Sequence, residues 1–204
     1  MIRRTALLVS LLAIASVWAF APGARAQGGG GCQLNGTANF KPGLTGTPGN
    51  FTYSFSGSLT GCMSNESNAP TAGTVSAGKV LTFSGEKFQE PVPTGNGACE
   101  AGTTAGTSIV KWSSGAYTVL SYKTYSLTGA VALDGNAIAK VTLKAIHPRR
   151  GQPRSKTIKT SLYSGGGSIG VLTFSPNPDP TACGSTAGVK SAAISGFVGV
   201  GSAS

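Results

Sequence analysis

Carboxylates are scarce in this sequence. Six Asp and Glu stand against sixteen Lys and Arg in 204 residues, and His147 is the only histidine. Acid/base pairs, metal sites and Asp-rich calcium loops are built from these residue types, so little material for such chemistry is present. Charge of either sign is sparse, at 11% of residues, about half the usual share. That excludes long helices laced by Glu–Lys pairs. A disordered polyelectrolyte is excluded too, because it needs low hydrophobicity with high charge, and 40% of this chain is hydrophobic. Past residue 26 no stretch shows a capped 3.6-residue period, and none is apolar for long enough to span a bilayer as a helix. The four cysteines form no CxxC pair, and no HExxH occurs, so neither a zinc nor a dithiol redox site is signalled. No cofactor is expected.

What is present begins with an address. Arg3 and Arg4 precede an apolar stretch over residues 7–20, and Ala24 and Ala26 put small residues at −3 and −1 of a signal-peptidase site. The stretch falls short of the ~18–20 apolar residues of a spanning helix, and Pro22 and Gly23 end it. Residues 1–26 therefore read as a secretory signal cleaved after Ala26. The expected product is secreted, with residues 27–33 a flexible glycine-rich leader and residues 34–204 one domain. Past residue 26 there are 13 basic against 6 acidic residues.

The body of the chain alternates with period two. Phe51, Tyr53, Phe55 and Leu59 share one parity over residues 51–60, and Thr52, Ser54, Ser56, Ser58 and Thr60 share the other. This pattern sets one strand face on a core and the other in water. Residues 137–146 and 157–163 alternate likewise, and further strands are expected at 34–40, 74–84, 107–112, 116–126, 168–174 and 189–200. The last is apolar on both faces, which suits a central strand. Residues 89–97 read as a loop. About nine strands with Gly-, Pro- and Asn-rich turns predict an antiparallel β-sandwich, Ig-like or jelly-roll-like, with a β-barrel as the alternative.

An even cysteine count in an exported chain implies two disulfides. Strands 34–40 and 51–60 flank a turn rich in Pro and Gly. Folding them about residue 47 sets Cys32 opposite Cys62. That leaves Cys99 to pair with Cys183.

The sharpest chemical feature is basic. Lys140, Lys144, Arg149, Arg150, Arg154, Lys156 and Lys159 hold seven of the thirteen positive charges within residues 140–159, a window without an acid. As a hairpin, this segment would line two strands with lysines and crown the tip with arginines. Such a field draws phosphate, sulfate and carboxylate polymers, and Arg adds two-point geometry for them. Lys144, Arg149, Arg150, Arg154, Lys156 and Lys159 are the candidate ligand-binding residues, and an anionic envelope polymer or surface is the expected partner. Nucleic acid is disfavoured, because the loop offers no aromatic side chain for base stacking. The competing reading is a solvated loop that guards a sheet edge.

Catalytic readings have little material to draw on. His147 sits among cations with no carboxylate to orient it. Glu86, Glu90 and Glu100 fall within fifteen residues and could serve a polymer hydrolase as a carboxylate pair, though their spacing is not diagnostic. The apolar 189–200 strand offers a third route, intermolecular strand pairing in a structural surface protein. Tyr122 and Tyr125 have opposite parity, so one of them is expected to be exposed.

The export signal, Cys32, the run Tyr53-Ser-Phe-Ser-Gly-Ser-Leu-Thr-Gly-Cys62 and the loop from Gln89 to Cys99 resemble small exported proteins of high-GC, actinobacterial-type bacteria. That group has no assigned activity. The resemblance implies export and an all-β fold, and carries no functional residue across. The expectation is an exported, non-enzymatic binding or envelope-associated protein.

Overall fold

The computed structural model describes residues 28–177 and 179–201, so the expected signal segment lies outside the described residues. Thirteen strands follow one another: β1 (Gly30–Leu44), β2 (Gly49–Ser64), β3 (Gly73–Ala77), β4 (Val80–Phe83), β5 (Glu86–Gln89), β6 (Thr94–Gly97), β7 (Ala101–Trp112), β8 (Tyr117–Leu127), β9 (Ala130–Ile138), β10 (Lys140–Ala145), β11 (Ser155–Lys159), β12 (Gly167–Pro176) and β13 (Val189–Gly201). A 3-10 turn, Ala182–Gly184, lies between the last two.

The fold is all-β and antiparallel, and the main sheet closes on itself. Its order is β1-β13-β12-β9-β8-β7-β3-β2, and β2 pairs back to β1. This is an eight-stranded barrel, the alternative architecture, and it replaces the expected sandwich. The reason lies in strand length. β1 and β2 run 15 and 16 residues, so each is long enough to bend and to pair along both edges. Inward/outward alternation is the same in a sandwich and in a closed barrel, so the pattern alone does not separate them.

One barrel position is filled by two short strands end to end. β3 pairs with Phe55–Leu59 of β2 in the order Ala77 to Gly73, and β6 pairs with residues 49–52. Both also pair with β7, β3 at residues 109–112 and β6 at residues 102–105. Between them the chain leaves the barrel as the β4–β5 hairpin. It turns out at Gly78 (φ +67), where a side chain would strike the Tyr53 carbonyl oxygen and Pro93. It returns past buried Glu90 and Pro93. The expected single strand 74–84 is therefore two strands and a turn, and the expected loop 89–97 contains the end of β5 and all of β6. The expected strand 137–146 likewise breaks at Ala139, where the chain leaves the barrel again to form β10–β11.

The two excursions meet. β10 pairs with β5 through Lys144↔Gln89 and Ala145↔Phe88, giving a second, four-stranded sheet in the order β11-β10-β5-β4. Its inner face buries Phe88, Val141, Leu143 and Ile158 against Ile109 of β7 and Val119 of β8. The outer sheet is thus held to the barrel wall by its own apolar core.

Both disulfides pair as expected. Gln33↔Thr60 and Gly31↔Met63 bracket a bulge in the β1–β2 ladder, and Cys32–Cys62 closes there with Cα atoms 4.1 Å apart. At that end Trp112 and Tyr163 meet edge to face at 5.6 Å, and the Trp112 indole N–H donates to Thr118 Oγ1 at 2.8 Å. At the other end Cys99–Cys183 ties the β6–β7 turn to the 3-10 turn. Gly46 N–H donates to the Cys183 carbonyl, and Cys99 N–H to the Thr45 carbonyl. The expected flexible leader 27–33 is corrected in part, because β1 starts at Gly30 and pairs on both sides from there. Glycine makes this possible: a side chain at residue 31 would collide with the Phe197 ring.

A candidate polyanion-docking face

The β10–β11 hairpin has the register the alternation calls for. Lys140 faces Lys159, Val141 faces Ile158, Thr142 faces Thr157, and Lys144 faces Ser155. Pro148 and Pro153 cannot extend the ladder, and the turn is closed by Arg149 N–H donating to Gln152 Oε1 at 2.8 Å. Because residues directly opposite share a face, Val141 and Ile158 go to the core, and Lys140, Thr142, Lys144, Ser155, Thr157 and Lys159 go to solvent. Thr142 and Thr157 hydroxyls meet at 3.3 Å between the lysines.

The face continues across the sheet. Gln89 opposes Lys144, and Thr82 opposes Lys87. The outward positions of the four strands are therefore Val80, Thr82, Lys87, Gln89, Lys140, Thr142, Lys144, Ser155, Thr157 and Lys159. They include four lysines and no acid. Lys87 was invisible in the sequence as part of this face, since its chain segment lies some fifty residues from the hairpin it joins. Its place depends on the β5–β10 pairing, for which no local pattern exists.

The six candidate binding residues do not all share this face. Lys144 and Lys159 lie on it. Arg149, Arg150 and Arg154 lie exposed on the turn beyond it. Lys156 does not join the outward face: it opposes Leu143 on the core-facing side, and its ammonium lies 5.6 Å from the centre of the Phe83 ring. Its long stem still reaches solvent, as lysine stems at a core's margin do. β11 is also the sheet's edge, so its lysines oppose the addition of a foreign strand.

The three acids take separate places and separate roles. Glu90 is 1% exposed and has both oxygens engaged, Oε1 by the Ser76 hydroxyl at 2.6 Å and Oε2 by the Lys79 N–H at 2.9 Å. Burial, the largest influence, raises its pKa against these two bonds and the Lys79 charge. It clamps the neck of the β4–β5 excursion. Glu86 opposes Phe83 in that hairpin, and exposed Glu100 sits in the β6–β7 turn. None of the three lines either of the two principal cavities among the described residues. His147 is exposed, at φ +51, where the chain leaves β10. One further spacing occurs in the chain: Gly166-Gly167-Ser168-Ile169-Gly170 matches G-x-S-x-G. Ser168 lies within β12, paired with Val200 and Gly135, and not on the strand-to-helix turn that exposes a nucleophile.

Two further expectations resolve. β13 is hydrogen-bonded to β1 and β12 along both edges, so it is central and has no free edge for intermolecular pairing. Tyr122 is buried and Tyr125 exposed. Among the described residues no helix is long and apolar enough to cross a membrane. No family model matches this chain, and no curated protein or solved structure matches it either.

Proposed function

We propose that this is an exported, non-enzymatic protein that docks on a polyanionic envelope polymer through the outer face of its four-stranded sheet and the arginine turn beyond it. The observation that carries this reading is the register pair Lys140↔Lys159 on an exposed face whose outward positions include no acid. Like charges directly opposite each other destabilise a sheet. An extended anion laid across the pair relieves that repulsion, and Lys87 and Lys144 lengthen the track. The hydroxyls of Thr82, Thr142, Ser155 and Thr157 supply neutral donors between the cations. Arg149, Arg150 and Arg154 add forked donors suited to phosphate or sulfate. Export is supported by the composition of residues 1–26 and by two disulfides, which persist in oxidising compartments.

The test is the salt concentration that elutes oxidised residues 27–204 from immobilised dextran sulfate. One variant carries Arg149→Ser, Arg150→Ser and Arg154→Ser. The control removes three charges elsewhere, through Lys41→Gln, Lys111→Gln and Lys123→Gln, all at exposed positions. The turn variant is expected to elute at clearly lower salt than the control. Equal elution would mean that only net charge is felt, and would overturn the assignment.

A further inference from the structure

The inside of the barrel is not filled. A cavity of about 160 Å³ extends within it, from Trp112 near the Cys32–Cys62 bridge to Cys99 at the opposite end. Native cores pack like molecular crystals and hold few voids larger than a water, so a space of this size calls for an occupant. Its lining includes no residue of the outer sheet, so it is separate from the basic face.

The wall is mostly apolar; Ser108, Ser126 and Ser168 line it singly, and one group of hydroxyls is joined by mutual hydrogen bonds. Tyr53 of β2 projects its Oη to 2.7 Å from Tyr122 Oη of β8 and 3.0 Å from Thr104 Oγ1 of β7. Thr104 Oγ1 lies 2.7 Å from Thr124 Oγ1. The patch sits beside the gap between β3 and β6, where Tyr53 N–H donates to the Pro93 carbonyl. Four hydroxyls carry four protons and share three mutual hydrogen bonds. One proton and several lone pairs are left for a polar group inside the barrel. Burial lifts the pKa of both phenols, that of Tyr122 well above 10 with Tyr53 and Glu90 adding to it. Both therefore keep their protons at neutral pH.

Next to this patch stands an aromatic cluster. Phe40 packs edge-on to Phe51 at 5.7 Å, and lies 6.0 Å from both Tyr53 and Phe174. All four line the cavity. An eight-stranded barrel is of the diameter that holds either packed side chains or one small ligand. An apolar cavity of about 150 Å³ accepts a benzene ring, and aromatic walls favour edge and offset contacts with such a ring.

We propose that the barrel binds one small aromatic molecule bearing a single hydroxyl, a phenol-class ligand. The ring packs among Phe40, Phe51 and Phe174, and the hydroxyl joins the Tyr53–Tyr122–Thr104 patch. Size sets the upper limit at one ring with a small substituent. The hydroxyl patch beside the aromatic cluster sets the requirement for one hydrogen-bonding group next to the ring.

The probes are p-cresol, toluene and 1-hexanol, titrated into oxidised residues 27–204 and followed by amide and side-chain NMR shifts and by the thermal midpoint. p-Cresol is expected to shift residues lining the cavity and to bind about tenfold more tightly than toluene, the margin of one net hydrogen bond. Tyr122→Phe removes a hydroxyl without changing volume. Paired with Tyr53→Phe it removes both phenol hydroxyls, and this double variant is expected to narrow the gap between p-cresol and toluene while leaving toluene unchanged. Val131→Phe, which fills the cavity from β9, is expected to abolish both. No saturable shift with p-cresol in the wild-type protein would overturn the proposal, as would preference for 1-hexanol over p-cresol. Equal affinities for p-cresol and toluene would remove the polar anchor and overturn the phenol assignment. The wild-type titrations decide the matter even where a variant fails to fold.

Discussion

The β1–β2 hairpin of the barrel and the β10–β11 hairpin of the outer sheet use the same alternation and present different surfaces. The outward row of β2 is Thr52, Ser54, Ser56, Ser58 and Thr60, and β1 and β2 together contain one cation, Lys41. The outward rows of β10 and β11 hold Lys140, Lys144 and Lys159, with three arginines on the turn between them. Both surfaces are wet and both hairpins bury a good apolar face. The barrel thus shows that hydroxyls suffice to keep a strand face of this protein in water. The outer sheet instead concentrates cations on one acid-free face, and the proposed docking rests on that contrast.

The comparison breaks most severely if the two regions do not share their stability. Trp112→Ala removes the edge-on partner of Tyr163 and leaves Thr118 without its indole donor. It should cost about 4 kcal/mol in urea unfolding, the usual range for a buried Trp. Leu143→Ala, in the core under the outer sheet where Leu143 is 0% exposed, should cost about 3 kcal/mol. Both variants should unfold in one transition, since Ile109 and Val119 of the barrel are part of that same core. Hydrogen exchange that frees residues 140–159 at far lower cost than the barrel would show the outer sheet to be a separate unit.

A smaller effect concerns the neck joining the regions. Glu90 has a raised pKa in the folded protein, with burial as the main cause. The folded state therefore holds this proton to higher pH than the unfolded chain does. Its contribution to stability falls as pH rises from the unfolded value near 4.5 up through the folded value, and is constant above it. Glu90→Gln lacks this dependence. Measured by urea midpoints, the variant should gain on the wild type as pH goes from 4.5 to 7; a gap that stays fixed or moves the other way would contradict the burial argument. The smallest effect sharpens the surface contrast itself. Lys159→Thr removes the like-charge pair with Lys140 and makes the face resemble that of β2. It should raise stability by a few tenths of a kcal/mol at low salt, a gain that fades as salt screens the pair.

Much of this was legible in the residues. The parity of 51–60 assigned Phe51, Tyr53 and Leu59 to the interior and their hydroxyl neighbours to water, and folding about residue 47 assigned Cys32 to Cys62. The 140–159 hairpin was legible for the same reason, with Val141 and Leu143 against Lys140 and Lys144. Three strands were not. In β6 the sequence Thr-Gly-Asn-Gly has no apolar side chain to set a face. In β9 alanines occur at both parities, at Ala130, Ala132 and Ala137, so the alternation is muted. β5 reads as a polar stretch around the single Phe88. Closure was illegible because it depends on which distant edges pair. The cavity was illegible because its volume depends on how eight strands curve around it, whereas the sequence specifies only which side chains point inward.

The most direct test of the docking face is the salt dependence of polyphosphate binding, followed by fluorescence anisotropy. Two variants lose four charges each: Lys87, Lys140, Lys144 and Lys159 to Gln on the outer face, and Lys41, Lys111, Lys123 and Lys190 to Gln elsewhere on the surface. Each phosphate that the protein no longer neutralises should lower the slope of log affinity against log salt by roughly 0.7–0.9, taking the range for single- and double-stranded nucleic acid. The outer-face variant is predicted to lose about 3 units of slope and the control less than one-third of that. Equal losses in the two variants would contradict a defined docking face.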